Sequence, residues 1–221
     1  MEYIVKILEI KVITHNVRSF RVEKPEGYCF EPGQATDVAI NLPEWKAEKR
    51  PFTFTGLNEW PYLEFTIKGY TDHEGVTNKL HKLTIGDELI IADVWGAITF
   101  KSEGYFIAGG AGITPFMAIL RQLNQHRALR TNQLFFSNKT EADIIYHQEL
   151  VNMLGRNARF ILTSEQNPEY DGGHINKTYL TQHIKDFTKP FYVCGPDEMV
   201  AQITTILKEL GADPETLVFE K

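Results

Sequence analysis

The sequence has 221 residues, of which 43% are hydrophobic and 24% charged, ordinary proportions for a folded chain and unlike those of a disordered one. Its net charge of −6 divides evenly, with 12 basic and 15 acidic residues up to Lys101 and 11 and 14 after it. Neither half therefore offers the cationic surface that nucleic acid requires.

Two cysteines, Cys29 and Cys194, exclude a chain-borne four-cysteine iron–sulfur cluster and a disulfide framework. No apolar run approaches the ~20 residues of a membrane span. The first residues lack the basic, then apolar, pattern of a signal peptide. A cytoplasmic protein that engages no membrane is expected.

The first hundred residues predict strands at 3–14, 17–23, 35–42, 50–57, 62–68 and 88–94, rich in β-branched and alternating apolar residues. His15-Asn16 and Pro32-Gly33 are turn signals between them. One stretch, 76–83, has helical spacing. Short strands separated by turns predict a six-stranded antiparallel β-barrel.

From Tyr105 strands and helices alternate. Strands are expected at 105–108, 133–136, 159–163 and 191–194, and helices after Thr114 and at 142–154, 176–184 and 196–210. Thr114 is placed at a helix N-cap with Pro115 in the first turn. Pro196 opens the last helix and Gly211 closes it. Such alternation predicts an α/β domain with a parallel sheet. The boundary is expected near residues 101–104, giving domains 1–101 and 102–221.

Three segments carry chemistry. Gly109-Gly110-Ala111-Gly112-Ile113-Thr114-Pro115 joins a strand to a helix. Its glycines permit a sharp turn and close approach of a ligand, and the helix start offers free N–H groups to a diphosphate. Cys194-Gly195-Pro196 is a second strand-to-helix turn, and both turns lie at carboxyl ends of parallel strands, where ligands gather. Arg50-Pro51-Phe52-Thr53 sets a guanidinium suited to phosphate two residues before an aromatic ring. Spacing alone equally permits an edge-strand arginine followed by a core aromatic.

Together, in this order, the three segments resemble those of the ferredoxin–NADP reductase family. The likeness is to small flavodoxin/ferredoxin-reductase-like flavoproteins without a fused iron–sulfur domain, and it spans the whole chain. It implies that Arg50 and Pro51 lie at the flavin phosphate, with Phe52 packed on the isoalloxazine and Thr53 near its N5. Ile67, Lys68, Gly75, Val76 and Thr77 would complete the flavin site, although Gly75-Val76-Thr77 is one residue shorter than the family's Gly-x-x-Ser. Gly109, Gly110, Ala111, Gly112, Ile113, Thr114 and Pro115 would receive the nicotinamide nucleotide, with Thr114 reaching between the two cofactors. Cys194, Gly195 and Pro196 would flank the nicotinamide. Thr53, Thr114 and Cys194 would be the tuning groups nearest the reacting atoms. Phe219 would cover the flavin or fill the core of the last strand.

The resemblance implies an NAD(P)H-dependent flavin oxidoreductase that passes single electrons to ferredoxin, flavodoxin or another redox partner. Two alternatives stand beside it, a reductase subunit of an oxygenase or dehydrogenase complex and a non-catalytic nucleotide-binding module. The Gly75–Thr77 segment favours FAD over FMN. Ser137, Asn138 and Lys139 are expected to face the adenosine end; Lys139 leans the choice toward NADPH, against Glu141 and Asp143 nearby. His126, His147, His174 and His183 are scattered without metal-ligand spacing, His73 and His81 read as solvated or capping residues rather than catalytic ones, and no metal is expected.

Overall fold

The computed structural model describes residues 1–70, 74–96, 98–213 and 217–219. Its first sheet comprises β1 (Glu2–Thr14), β2 (Val17–Glu23), β3 (Ala35–Ile40), β4 (Arg50–Thr53), β5 (Tyr62–Lys68) and β6 (Glu88–Trp95). They are antiparallel, in the order β4-β3-β6-β1-β2-β5. A bridge from Phe54 to Phe65 joins the two edges and closes the barrel, which removes exposed strand edges. Alternate residues fill it, among them Phe20 and Val22, Val38 and Ile40, Leu63 and Phe65, and Leu89 and Ile91, as the two-residue period of a strand requires.

The candidate strand at 50–57 stops at Thr53. There the chain changes neighbour, and Thr55 N–H donates to the Glu64 carbonyl oxygen across from it. The helical stretch at 76–83 is shorter too, α1 (Val76–Leu80). Lys82 and Leu83 donate to the carbonyls of Lys79 and Leu80, and these tight turns end the helix.

The second sheet is parallel: β7 (Tyr105–Gly109), β8 (Gln133–Asn138), β9 (Ala158–Leu162), β10 (Asp171–Gly172), β11 (Phe191–Cys194) and β12 (Leu217–Phe219), in the order β10-β9-β8-β7-β11-β12. Its helices are α2 (Thr114–Gln125), α3 (His147–Leu154), α4 (Lys177–His183) and α5 (Asp197–Glu209). Successive strand residues are buried on opposite faces. Phe106, Ala108, Leu134 and Phe136 share a cluster with Phe116 and Leu120 of α2 and Leu150 of α3. Tyr105, Ile107, Phe135 and Phe191 share another with Leu180 of α4 and Ile203 and Leu207 of α5. Covered on both sides, these strands read as continuous apolar runs. β7 pairs with β8 on one side and β11 on the other, so its carboxyl end is a topological switch point.

Three helix starts differ from expectation. Thr114 is the first residue of α2, and its hydroxyl does not cap the helix. The preceding Gly110–Ile113 segment already winds as a 3₁₀ turn, so helical backbone runs straight into Thr114. The helix expected at 142–154 is split. Thr140 and Asp143 form a capping box around a short turn, Ile144 is extended, and Tyr146 is left-handed at φ 55, so α3 begins at His147. Pro196 is the N-cap of α5 rather than its first helical residue. Phe219 pairs through its backbone with Val193; its side chain, like His73, lies outside the described residues.

Candidate active site cleft

Gly109 ends β7 and Cys194 ends β11, and Ala108 pairs with Cys194 across the ladder. The two turns that follow press against each other. A methyl group on Gly112 would stand 2.3 Å from the Cys194 carbonyl oxygen, so a side chain there would hold the turns apart. Gly110 has the opposite surroundings. Its φ is +51, and nothing lies within 4 Å of where a side chain would start; its face is open for a ligand.

The barrel stands opposite. Thr53 Oγ1 donates to Thr114 Oγ1 at 3.0 Å, joining the end of β4 to the start of α2. Around this joint lies a cleft of about 400 Å³. Pro51, Phe52, Thr53, Ile67, Lys68 and Thr77 line it from the barrel side. Gly109, Gly110, Ala111, Gly112, Thr114, Cys194, Gly195 and Pro196 line it from the parallel sheet. Strict alternation would send Phe52 and Thr53 to opposite faces, yet both reach the cleft, because β4 ends at Thr53 and the pleat breaks there.

A second hollow of about 370 Å³ adjoins it, with Lys68, Gly109, Gly110 and Pro196 common to both. Ser137, Asn138 and Lys139 line it at the end of β8. The Asn138 amide is buried, and neither of its polar atoms has a hydrogen-bond partner among the described residues. Such an amide normally pairs with something, and it lies against the second hollow.

Five expected residues line neither hollow. Arg50 is exposed, donating to the Lys49 carbonyl and pairing with Glu48 at 3.4 Å. Gly75 precedes α1 without reaching the cleft, and Val76, Ile113 and Pro115 are buried. Asp143, expected near the adenosine end, lines the second hollow. Other residues complete the lining without having been anticipated: Thr66 and Tyr70 in the first hollow, and Thr163, His174, Ile175, Glu198, Met199 and Gln202 in the second. Thr163 follows β9, so the rule that singled out Ser137 and Cys194 reaches it as well. Thr66 precedes Ile67 on β5 and carried no separate signal.

Behind the cleft lies a polar network that the sequence does not announce. Glu64, buried on β5, accepts from Arg121 Nη1 at 2.6 Å, Arg21 Nε at 3.2 Å and Thr55 Oγ1 at 3.1 Å. Arg121 on α2 also grips Glu149 of α3 through Nε and Nη2, at 2.6 and 2.8 Å. Its guanidinium lies 4.7 Å from the Tyr146 ring centroid, and the Tyr146 hydroxyl bonds Thr66 Oγ1 at 2.7 Å. Burial opposes the charge on Arg121, but hydrogen bonding to Glu149 and the charges of Glu64 and Glu149 outweigh it and raise its pKa. Burial and the nearby Glu64 charge raise that of Tyr146, which keeps its proton. On the barrel, burial lowers the pKa of His81, whose Nε2 meets the Ile67 carbonyl oxygen at 2.9 Å.

Among the described residues no group of three His, Cys, Asp or Glu could hold a metal ion. None of their helices is long and apolar enough to cross a membrane.

A closed antiparallel barrel faces the switch point of a parallel sheet, and the two joined hollows lie where such sheets gather their ligands. Residues 106–205 match the oxidoreductase NAD-binding domain family. The whole chain superposes on a ferredoxin–NADP⁺ reductase from Neisseria gonorrhoeae, solved with bound FAD and NADP, at a TM-score of 0.85 and 21% identity, covering 99% of this chain and 97% of that one. It is 26% identical to the reductase component of propane 2-monooxygenase from Rhodococcus jostii, over 98% of this chain and 62% of that protein. It is 28% identical to an NADH–cytochrome b5 reductase from Aspergillus oryzae, over 93% of this chain and 73% of that protein. Residues 106–205 thus carry the likeness to the NAD-binding domain family, and the chain as a whole shares the fold of the ferredoxin–NADP⁺ reductase. It spans about six-tenths of the length of the monooxygenase reductases it matches.

Proposed function

We propose that this chain is a flavin-dependent NAD(P)H reductase, residues 1–101 holding FAD and 102–221 the nicotinamide nucleotide. The observation that carries this reading is the Thr53–Thr114 bond, which sets the barrel's Phe52 and Thr53 and the glycine turn on opposite walls of one cleft. Phe52 offers an aromatic face to the isoalloxazine. Thr77 and Lys68 offer a hydroxyl and a cation to the flavin's phosphates. Arg50 exchanges its exposed contact with Glu48, of the kind worth little in water, for a phosphate fork. Bound there, FAD would supply an acceptor that takes a hydride and releases electrons singly.

The glycine turn and Cys194 seat the nicotinamide end, and the second hollow seats the adenosine end. Thr53 and Thr114 fix the approach of the two rings and shield it from water. Asn138, orphaned beside the second hollow, supports a polar ligand there.

The same hollow favours NADH over NADPH, contrary to the lean from Lys139 alone. Asp143 and Glu198 line it. Glu141 is held nearby, its N–H on Glu165 and its carboxylate on Tyr170 and Asn167. A 2′-phosphate would meet these charges at short range.

The electrons pass to a separate redox partner. The reductase component of propane 2-monooxygenase and the glycine betaine monooxygenase reductase subunit among the relatives favour an oxygenase component over free ferredoxin or flavodoxin.

Anaerobic titration of FAD-loaded protein with NADH and then NADPH tests the reading. Flavin absorbance should bleach, with the higher kcat/KM for NADH. Bleaching by neither nucleotide refutes the function, and recovery of FMN alone from the native protein refutes the choice of FAD.

A further inference from the structure

Thr114 and Arg121 are seven residues apart on α2. That is two helical turns, so both side chains leave the same face, and here that face meets the barrel where the chain leaves β4. Thr114 meets Thr53 through hydroxyls at 3.0 Å. Arg121 Nη1 donates to the Thr55 carbonyl oxygen at 2.7 Å. A helix held at one point can pivot; held at two, about 10 Å apart along its axis, it cannot.

The second attachment is built from groups that tolerate little displacement. The Arg121 side chain is 10% exposed and that of Glu64 4%, so moving them apart would strand buried charges. Glu149 takes the other edge of the guanidinium as a two-pronged fork, the geometry that best fixes direction. Tyr146 is kept at φ 55, a conformation non-glycine residues rarely adopt unless their surroundings impose it. There its ring lies against the guanidinium and its hydroxyl reaches Thr66 in the cleft wall. Buried ion pairs contribute little net stability compared with apolar packing. What this one supplies is a fixed relation between two layers.

We propose that Arg121 is a positioning residue, which with Glu64, Glu149 and Tyr146 locks α2 onto the barrel and so sets the separation of the two cleft walls. The proposal rests on the reading of the cleft as a flavin–nicotinamide site. Its direct test is Arg121→Met in FAD-loaded protein mixed rapidly and anaerobically with NADH. The saturating bleaching rate should fall about tenfold or more, with the nucleotide dissociation constant within about twofold of the parent, a pattern that marks lost alignment rather than lost binding. In flavin-free protein, amide exchange at residues 53–55 and at Thr114, Phe116 and Met117 should quicken. A general loss of stability would leave the saturating rate unchanged well below the unfolding temperature, so a parental rate overturns the proposal. If Arg121→Met does not fold, Tyr146→Phe decides, since it keeps the ring under the guanidinium and removes the hydroxyl's bonds to Thr66 and Ser19. An unchanged rate in that variant overturns the proposal, and a fall of about threefold supports it. Parent protein that never bleaches would remove the flavin–nicotinamide reading instead, and the exchange measurement alone would then judge the lock.

Discussion

Thr53 and Thr114 lie 61 positions apart in sequence and share a 3.0 Å hydroxyl–hydroxyl bond at the meeting of barrel and parallel sheet. Thr114 is free to make it because Ile113 occupies the N-cap position and no side chain caps α2. Thr114→Val should therefore leave the thermal midpoint nearly unchanged. It should slow nucleotide-driven flavin bleaching about tenfold, the effect of ~1.4 kcal/mol of lost alignment. Stopped-flow absorbance checks it, and a parental rate would remove Thr114 from the reaction.

The glycine turn separates two kinds of glycine. In Gly112→Ala the new methyl meets backbone, at 2.3 Å from the Cys194 carbonyl oxygen and 2.6 Å from Gly195 N. Overpacking against immovable atoms costs at least ~1–3 kcal/mol, and the two turns must part. Gly110→Ala meets no atom within 4 Å and bears only the left-handed backbone cost of ~1–2 kcal/mol. Denaturant titration should show Gly112→Ala as clearly the less stable. The reverse order would contradict the interlocking of the turns.

Glu64 and Glu9 both pair with Arg21, in very different surroundings. Glu64→Ala takes from the buried Arg121 one of its two carboxylate partners and leaves it Glu149; the loss of a partner in a buried pair costs up to ~3–5 kcal/mol. Glu9→Ala, on a solvated rim, should leave the urea midpoint where it was. Equal effects in the two variants would refute the distinction.

Burial lowers the pKa of His81 below its ordinary 6.5. The unfolded chain therefore takes up a proton near pH 6.5 while the folded one still resists it. Stability should fall as pH drops through 6.5 and level off below the folded pKa. His81→Gln should flatten that slope between pH 7 and 5 in thermal melts. An unchanged slope would assign the effect elsewhere, His183 being the other histidine among the described residues that burial shifts downward.

Much of the architecture is legible in local sequence because it is locally determined. Strands β2, β5 and β11 fall where β-branched and apolar residues place them, since each buries a face its own pattern dictates. The cleft glycines were legible for the same reason, as a sharp turn demands glycine wherever it occurs. The misjudged starts of α2 and α3 depend on what lies outside the segment. Thr114 looks like a cap until the preceding turn is seen to be helical already, and 142–154 looks like one helix until the Thr140–Asp143 box and Tyr146 break it. The least legible feature is the Arg121 network. An arginine in an apolar helix carries no mark of the two carboxylates, 57 and 28 positions away, that neutralise it.

The two hollows meet across a saddle formed by Lys68, Gly109, Gly110 and Pro196. A molecule that fills one therefore delivers whatever is tethered to it into the other, at an effective concentration that for short tethers reaches the millimolar range. Halves of a dinucleotide bind such a surface weakly and independently, whereas the joined molecule binds with nearly the product of their affinities. With the hollows assigned as proposed, selectivity exercised at the adenosine end would be felt at the reacting end without any movement of the protein between them.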